Sequence, residues 1–269
     1  MIINCQEIAE RLKTQLRERV NVVWETYGYG PFMVIIQVGD DQASNSYIKG
    51  KMKDCDDVGI EWYHYKLPEE TTTEELLALI ERENHKEVVD GIIVQLPLPA
   101  HIDKTRVMAA IADEKDIDGF KPGSKFTPCT PKGVMSIFED LNINLVGKEC
   151  VVIGRSEIVG KPLANLLIDA GATVISCNSK TRDVGSFTRR ADIVISAVGK
   201  RDLITKDMVT EDTIVIDVGI NRDENGKLCG DVSRECYDYV ELITPVPKGV
   251  GLMTRVSLLQ NVYDAYMNK

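Results

Sequence analysis

Residues Val151 to Leu163, Val-Val-Ile-Gly-Arg-Ser-Glu-Ile-Val-Gly-Lys-Pro-Leu, constrain the fold of this chain more than any other stretch. A short β-branched apolar run ends at Gly154, a glycine-bounded turn closes at Gly160, and a helical apolar pattern follows at Leu163, Leu166, Leu167 and Ala170. Strand, glycine turn and helix in that order open a dinucleotide-binding βαβ unit. The first N–H groups of a helix lack partners, and the helix dipole is positive there, so such a turn holds anions. Arg155 and Ser156 directly after the first glycine suit a phosphate more exposed than the pyrophosphate.

The same alternation runs through both halves of the chain. Residues 5–26 read as an amphipathic helix with Ile8, Leu12, Leu16, Val20 and Val23 on one face, broken by Gly28-Tyr29-Gly30-Pro31. Phe32–Val38 is a strand buried on both faces. A helix from about Ala43 to Val58 closes at Gly59, and Ile60–Leu67 reads as a second strand. Thr71-Thr72-Thr73-Glu74 starts a capped helix with Leu76, Leu77 and Ile80 inward. Gly91–Leu96 is a third strand, stopped by Pro97 and Pro99, and a helix follows at 103–112. A loop rich in Pro, Gly and Thr runs to Pro131. Beyond it come a helix at 132–142, strands near 149–153, 172–176, 192–196, 213–217 and 242–243, and a last helix at 254–268. The expected fold is α/β with two domains, an N-terminal α/β catalytic domain and a Rossmann-type domain, with a cleft between them. The expected boundaries are 1–120 plus 250–269 for the first and 121–249 for the second.

Composition narrows the partners. The chain has 269 residues, enough for one large or two modest domains, and its net charge of −10 argues against a general nucleic-acid binder. No apolar run approaches the roughly 20 residues that span a bilayer, and no basic-then-apolar leader opens the sequence, so neither membrane nor export is expected. The seven scattered cysteines form no zinc spacing and read as reduced thiols of a cytoplasmic protein. His64, His85 and His101 share no ligand spacing with carboxylates, so no metal is expected, and no Ser-His-Asp order suggests a hydrolase triad.

Chemistry-bearing residues cluster after strands of the first half. Tyr47 and Lys51 lie four apart on one helix, with Ser44 a turn earlier on the same side. A lysine transfers protons when burial and neutral partners lower its pKa, and a neighbouring hydroxyl relays a proton or holds a carbonyl. Alone, the pair fits a surface lysine and a half-buried tyrosine on an ordinary helix better than it fits a catalytic pair. Gln95, at the end of the third strand, is either a satisfied core amide or a neutral partner for that lysine. Asp116 and Asp118 flank Ile117 before Gly119; either caps the loop, or one grips a pair of ring N–H donors. Past the second strand of the second half, Cys177-Asn178-Ser179-Lys180-Thr181-Arg182 carries hydroxyls and cations, with no acid until Asp183. An acid there would bind the ribose hydroxyls of NAD, so NADP is the expected cofactor.

Together these segments resemble the methylenetetrahydrofolate dehydrogenase/cyclohydrolase (FolD-type) family. Val38-Gly39 with Ala43-Ser44, Tyr47 and Lys51 match its first signature, and Asp90 to Pro99 its second. Glu114 to Gly119 match the third, and Pro128-Cys129-Thr130-Pro131-Lys132-Gly133 the fourth. Gly154-Arg155-Ser156 with Val159-Gly160-Lys161-Pro162 match the cofactor loop. Asp217 to Asn221, Gly230-Asp231-Val232 and Thr244 to Pro247 complete the set. The motifs stand in family order over nearly the whole chain. Short-chain dehydrogenases also carry Tyr-x-x-x-Lys, but after the glycine loop, whereas here it lies roughly a hundred residues before it.

The resemblance implies NADP-dependent oxidation of 5,10-methylenetetrahydrofolate and hydrolysis of the methenyl product to 10-formyltetrahydrofolate. It implies that Lys51 transfers the proton, with Tyr47 beside it and Gln95 tuning it, and that Asp118 holds the pterin N–H edge. Ser44 would support the helix or its substrate, and Pro247 and Gly251 would line the folate site. Arg155, Ser156 and Ser179 would grip the 2′-phosphate next to Gly154, Ile220 would pack at the nicotinamide end, and the protein would be a homodimer. Two departures from the family pattern stand out. The loop Phe120 to Thr127 is shortened, and Lys248 and Leu252 replace a glycine and a proline beside the expected folate site. The alternatives are a dehydrogenase without efficient cyclohydrolase activity, a non-catalytic folate or nucleotide binder, and another NADP enzyme on the same plan.

Overall fold

The computed structural model describes residues 1–121 and 123–269. The first half runs α1 (Cys5–Tyr27), β1 (Phe32–Val38), α2 (Gln42–Val58), β2 (Glu61–Leu67), α3 (Thr73–Asn84), β3 (Gly91–Val94) and α4 (Lys104–Ala110). The second half runs α5 (Cys129–Asp140), β4 (Glu149–Ile153), α6 (Gly160–Asp169), β5 (Thr173–Cys177), α7 (Gly185–Thr188), β6 (Ile193–Ser196), β7 (Ile214–Asp217), β8 (Asn221–Arg222), β9 (Leu228–Cys229), β10 (Leu242–Ile243) and α8 (Val250–Met267). The chain divides into two compact units, an N-terminal one of Arg11–Cys129 with Arg255–Lys269, and a C-terminal one of Met1–Glu10 with Thr130–Thr254. Residues 1–10, which the sequence reading placed with the first half, join the C-terminal unit because Ile3 N donates to Ile243 O at 2.8 Å and Ile2 bridges Ile243. The start of α8 joins it too, because Gly133 packs directly against the Met253 backbone.

The N-terminal unit is a three-stranded parallel sheet in the order β2-β1-β3. Alternation along β1 serves both faces, as its unbroken apolar run requires. Met33 and Ile35 pack with Leu16, Val20, Ile48 and Leu259 from α1, α2 and α8. Val34, Ile36 and Val38 pack with Leu76, Ile80 and Val107 from α3 and α4. The C-terminal unit is a five-stranded parallel sheet ordered β10-β7-β6-β4-β5, with Val151, Val194 and Val215 in its core. The order reverses at β4, with β5 on one side and β6 on the other. It reverses at β1 in the smaller sheet. Ligands of open α/β sheets bind outside the carboxyl ends of strands at such reversals. No described helix is long and apolar enough to cross a membrane.

Element boundaries differ from the sequence expectation where a breaker residue sits in a first turn. Helix α5 begins at Cys129, three residues earlier than expected, with Pro131 in its opening turn, where a proline has no intrahelical N–H to lose. Helix α8 likewise begins at Val250 rather than 254, with Gly251 in its first turn. The β8–β9 hairpin is the one sheet that periodicity did not suggest; its strands have two residues each.

Candidate active site

The carboxyl end of β1 leads through Gly39, with φ of 81°, into α2, whose N-cap Asp41 accepts from Ser44 N at 2.7 Å. This cap fixes the helix so that Ser44, Tyr47 and Lys51 share its inner side. Lys51 is 7% exposed, and its Nζ donates to Gln95 Oε1 at 3.2 Å and lies 5.4 Å from the Tyr47 ring centroid. Gln95 stands one residue past β3; its backbone N still donates to Ile36 O at 2.8 Å and its Nε2 donates to Leu96 O at 2.7 Å. Ser44 Oγ reaches the same Leu96 carbonyl at 3.4 Å. Ser44, Tyr47, Lys51 and Gln95, singled out from the sequence, therefore form one cluster. On the far side of α2, buried Asp54 pairs with Lys13 at 3.5 Å and with Arg255, whose guanidinium also donates to Gly50 O at 3.3 Å.

The segment Lys115-Asp116-Ile117-Asp118-Gly119 divides its labour residue by residue. Lys115 Nζ donates to the Glu83, Asn84 and Lys86 carbonyls at 3.2, 2.7 and 2.7 Å, closing the end of α3. Asp116 is the loop cap, accepting from Phe120 N and Lys121 N at 3.4 and 2.9 Å and so fixing the turn after Gly119. Ile117 is buried in the core. Gly119 has φ of 69°, and a Cβ there would come within 2.7 Å of Phe126 O. Asp118 is left facing the lysine cluster: burial pushes its carboxyl above the usual range, while the Lys51 charge and the Cys129 thiol act against that shift. The Tyr47 hydroxyl is likewise pushed up, by burial first and by the Asp118 charge second, with Arg255 opposing. Tyr47 is nonetheless 41% exposed, so the cluster opens to solvent on its side.

Two positioning residues of this site escaped the sequence reading. Asn261, 1% exposed on α8, donates to Ile117 O at 2.8 Å and Thr127 O at 3.1 Å, gripping the chain on both sides of Asp118. Cys129 Sγ donates to Ile117 O at 3.4 Å and reaches Asp118 Oδ1 at 3.9 Å. The available signal was the amide pair Gln260-Asn261 between Leu258-Leu259 and Val262, since an amide carried into an apolar face must find partners. The three histidines are engaged locally: His64 with Gln37 Oε1, His85 with Glu81 O, and His101 with Thr71 O.

In the C-terminal unit the glycine turn is built as its residue types demand. Gly154 has φ of 112°, and a Cβ on it would overlap Ala197 O; a Cβ on Gly160 would overlap Gly154 O. Only glycines let this turn close and bring backbone N–H groups up to an anion. Ser156 Oγ accepts from Gly160 N at 3.3 Å, and exposed Arg155 is anchored to Ser176 Oγ at 3.1 Å and to the Ser176 carbonyl. Ser179 is exposed past β5. Asp183, the first acid there, accepts from Ser186 N at 3.1 Å, which turns it to the start of α7 and away from a ribose role. Ile220 is 69% exposed on the loop after β7. Pro247 and Gly251 are exposed and belong to this unit, whereas Lys51, Gln95 and Asp118 belong to the other. Lys248 is exposed with φ of 71°, in the left-handed region that suits glycine.

Fold and sites define a class: a two-domain parallel α/β protein in which one sheet ends in a close-packed glycine turn before a helix and the other in a buried Lys–Gln pair beside a carboxyl. Comparison with known proteins specifies it further. The tetrahydrofolate dehydrogenase/cyclohydrolase catalytic-domain model matches residues 3–118, and the NAD(P)-binding-domain model of the same name matches residues 128–269. A bifunctional protein FolD from Lysinibacillus sphaericus is 49% identical over all of this chain and 98% of its own length. The crystal structure of the FolD methylenetetrahydrofolate dehydrogenase/cyclohydrolase from Campylobacter jejuni superposes with a TM-score of 0.96 at 43% identity, covering 100% of this chain and 99% of that one. The Trypanosoma brucei FolD structure, complexed with NADP cofactor and inhibitor, gives 0.92 at 33% identity, covering 100% and 97%. The chain belongs to the tetrahydrofolate dehydrogenase/cyclohydrolase family, enzymes of one-carbon folate metabolism.

Proposed function

We propose that this chain oxidises 5,10-methylenetetrahydrofolate with NADP and then hydrolyses 5,10-methenyltetrahydrofolate to 10-formyltetrahydrofolate. The observation that carries this reading is the buried Lys51 Nζ held 3.2 Å from Gln95 Oε1, next to Asp118. A bound nicotinamide would supply the acceptor for the hydride of the one-carbon bridge. The protein's share of that step is placement, because hydride transfer needs no base. Asp118 holds the pterin ring by its N–H edge, and Ser44 and Tyr47 line the same pocket. In the hydrolytic step Lys51 takes a proton from water as it attacks the methenyl carbon. It returns one to the ring nitrogen as that carbon–nitrogen bond opens, and the second water proton leaves to solvent. Gln95 supports the lysine through both proton transfers without adding charge.

In the other unit, the Gly154–Gly160 turn would hold the pyrophosphate of the nucleotide, and Arg155, Ser156 and Ser179 would hold its 2′-phosphate. The overlap a Cβ would cause at Gly154 and Gly160, and the engagement of Asp183 at α7, support NADP. Ile220, exposed after β7, would meet the nicotinamide end. We assign the enzyme to the cytoplasm, where free cysteines persist, six of the seven here being buried. We assign it a homodimeric state, which light scattering on the purified protein checks.

The test is spectrophotometric. The protein is mixed with 5,10-methylenetetrahydrofolate and NADP, and NADPH and methenyl-folate are followed separately. NADPH without methenyl accumulation is the expected result. NADPH with methenyl build-up defines a dehydrogenase whose shortened 120–127 loop has cost it hydrolysis, and no NADPH with either NADP or NAD removes the catalytic reading.

A further inference from the structure

Asp231 is fully buried, and its carboxylate is the most heavily bonded side chain of the C-terminal unit. Oδ2 accepts from Ser196 Oγ at 2.8 Å, Val198 N at 2.8 Å and Gly199 N at 3.2 Å. Oδ1 accepts from Lys200 N at 2.8 Å and Asn221 Nδ2 at 3.0 Å. Its position is set by the β8–β9 hairpin, which returns the chain to the end of β7, where Asp231 N donates to Asp217 Oδ1 at 2.9 Å. Two glycines make room for this close approach: a Cβ at Gly219 would overlap the Asp231 carboxylate, and one at Gly230 would overlap that of Asp217.

The consequence concerns two loops at the carboxyl ends of the central strands. Three consecutive N–H groups of the loop after β6, those of Val198, Gly199 and Lys200, turn inward onto one carboxylate. That loop therefore has no such donors left for a phosphate. It also forms the floor of the glycine turn, since Ala197 O lies directly beneath Gly154. The loop after β7 is tied to the same carboxylate through Asn221, the residue after exposed Ile220. A buried carboxylate that accepts several N–H groups holds a loop in one shape, because each lost bond leaves a buried donor unpaired.

We propose that Asp231 is a positioning residue for hydride transfer: it sets the shape of the 197–200 and 218–221 loops, which form the nicotinamide wall, and touches neither substrate nor phosphate. This rests on the NADP reading above. Phosphate binding stays with the 154–160 turn, and proton transfer stays with Lys51 in the other unit. The three functions can therefore be separated in one protein.

The test compares wild type with Asp231→Asn, which keeps size but points an amide donor at N–H donors, and with Ser196→Ala, which removes a single bond. Three readouts are taken: kcat for NADPH formation, Kd for NADPH by fluorescence titration, and hydrolysis of preformed 5,10-methenyltetrahydrofolate without nucleotide. For Asp231→Asn we expect kcat for NADPH formation to fall about tenfold to a hundredfold, the range of a lost hydrogen bond to a charged group. We expect Kd to move less than about threefold and hydrolysis less than about twofold. Ser196→Ala gives a smaller loss of the same kind, and carries the test if the first variant does not fold. Parallel loss of all three readouts makes Asp231 a general scaffold residue and overturns the proposal, as does an unchanged kcat. Wild-type protein that makes no NADPH removes the NADP reading itself, a distinct failure.

Discussion

The two strand-end sites of this molecule bury charge in opposite ways. In the C-terminal unit, Asp231 accepts five hydrogen bonds, and Asp217 accepts from Gly219, Asp231 and Val232 N–H groups at 3.0, 2.9 and 3.0 Å. In the N-terminal unit, the described hydrogen-bond partner of Lys51 Nζ is one amide oxygen, and Asp118 receives a thiol 3.9 Å away. A carboxylate with five donors, such as Asp231, has no capacity left for a substrate and serves to hold the protein's own groups. Partly satisfied groups keep donor and acceptor capacity beside half-exposed Tyr47, and leaving them so costs stability that a structural role would not justify. Under the proposed function, the difference separates residues that shape a site from residues that would react in it.

The largest expected effect lies at the unsaturated end. Lys51→Met should lower the rate of methenyl-folate hydrolysis by about 10²- to 10⁴-fold, the range of general acid–base catalysis, and damage NADPH formation much less. Survival of both activities would falsify the role of Lys51. Next comes Arg155→Ala, which should lower kcat/KM for NADP about tenfold to a hundredfold and leave that for NAD nearly unchanged, since only NADP presents a 2′-phosphate. Equal losses with both cofactors would detach Arg155 from that phosphate.

A smaller effect sharpens the saturated side. Burial pushes the Asp217 carboxyl up to about 6 from an ordinary 3.8, against the N–H groups it accepts. The folded state then holds this proton more tightly than the unfolded state. The stability so gained is fully present below pH 3.8 and is lost as the pH rises to about 6. Between those limits wild type should lose at most about 3 kcal/mol relative to Asp217→Asn, measured as the difference in urea unfolding free energy at the two ends. Parallel pH profiles for the two proteins would contradict it. The smallest effect is at Lys248, whose φ of 71° is strained for a residue with a Cβ. Lys248→Gly should raise stability by less than about 1 kcal/mol, because the relief is partly offset by the extra freedom of glycine when unfolded. A clear drop in thermal unfolding temperature would show that the lysine side chain makes a stabilising contact.

Much of this was legible in the sequence where a local rule acts alone. The apolar run Phe32–Val38 became a strand with those bounds, Gly59 became the left-handed cap of α2, and Thr72 with Glu75 formed the capping box of α3. Glycine spacing marked the Gly154–Gly160 turn because only glycine fits its close approaches. The Lys51–Gln95 contact was less legible, since its partners are 44 residues apart and joined only by the pairing of β1 with β3. The Asp217–Asp231 pair was not read as a unit at all. Its signal was the Asn225-Gly226 turn inside Asp223 to Lys227, a hairpin mark that brings residue 231 back to residue 217, with Gly226 at φ of 75°. Long-range pairing through a hairpin of two-residue strands leaves no periodicity to detect.

The most direct test of the central claim sets Lys51→Met beside Asp231→Asn, each assayed for NADPH formation and for methenyl-folate hydrolysis without nucleotide. The account predicts a crossed pattern, with hydrolysis lost in the first and NADPH formation impaired in the second. Parallel loss of both activities in both variants would contradict it, because the open and the saturated site would then be doing the same work.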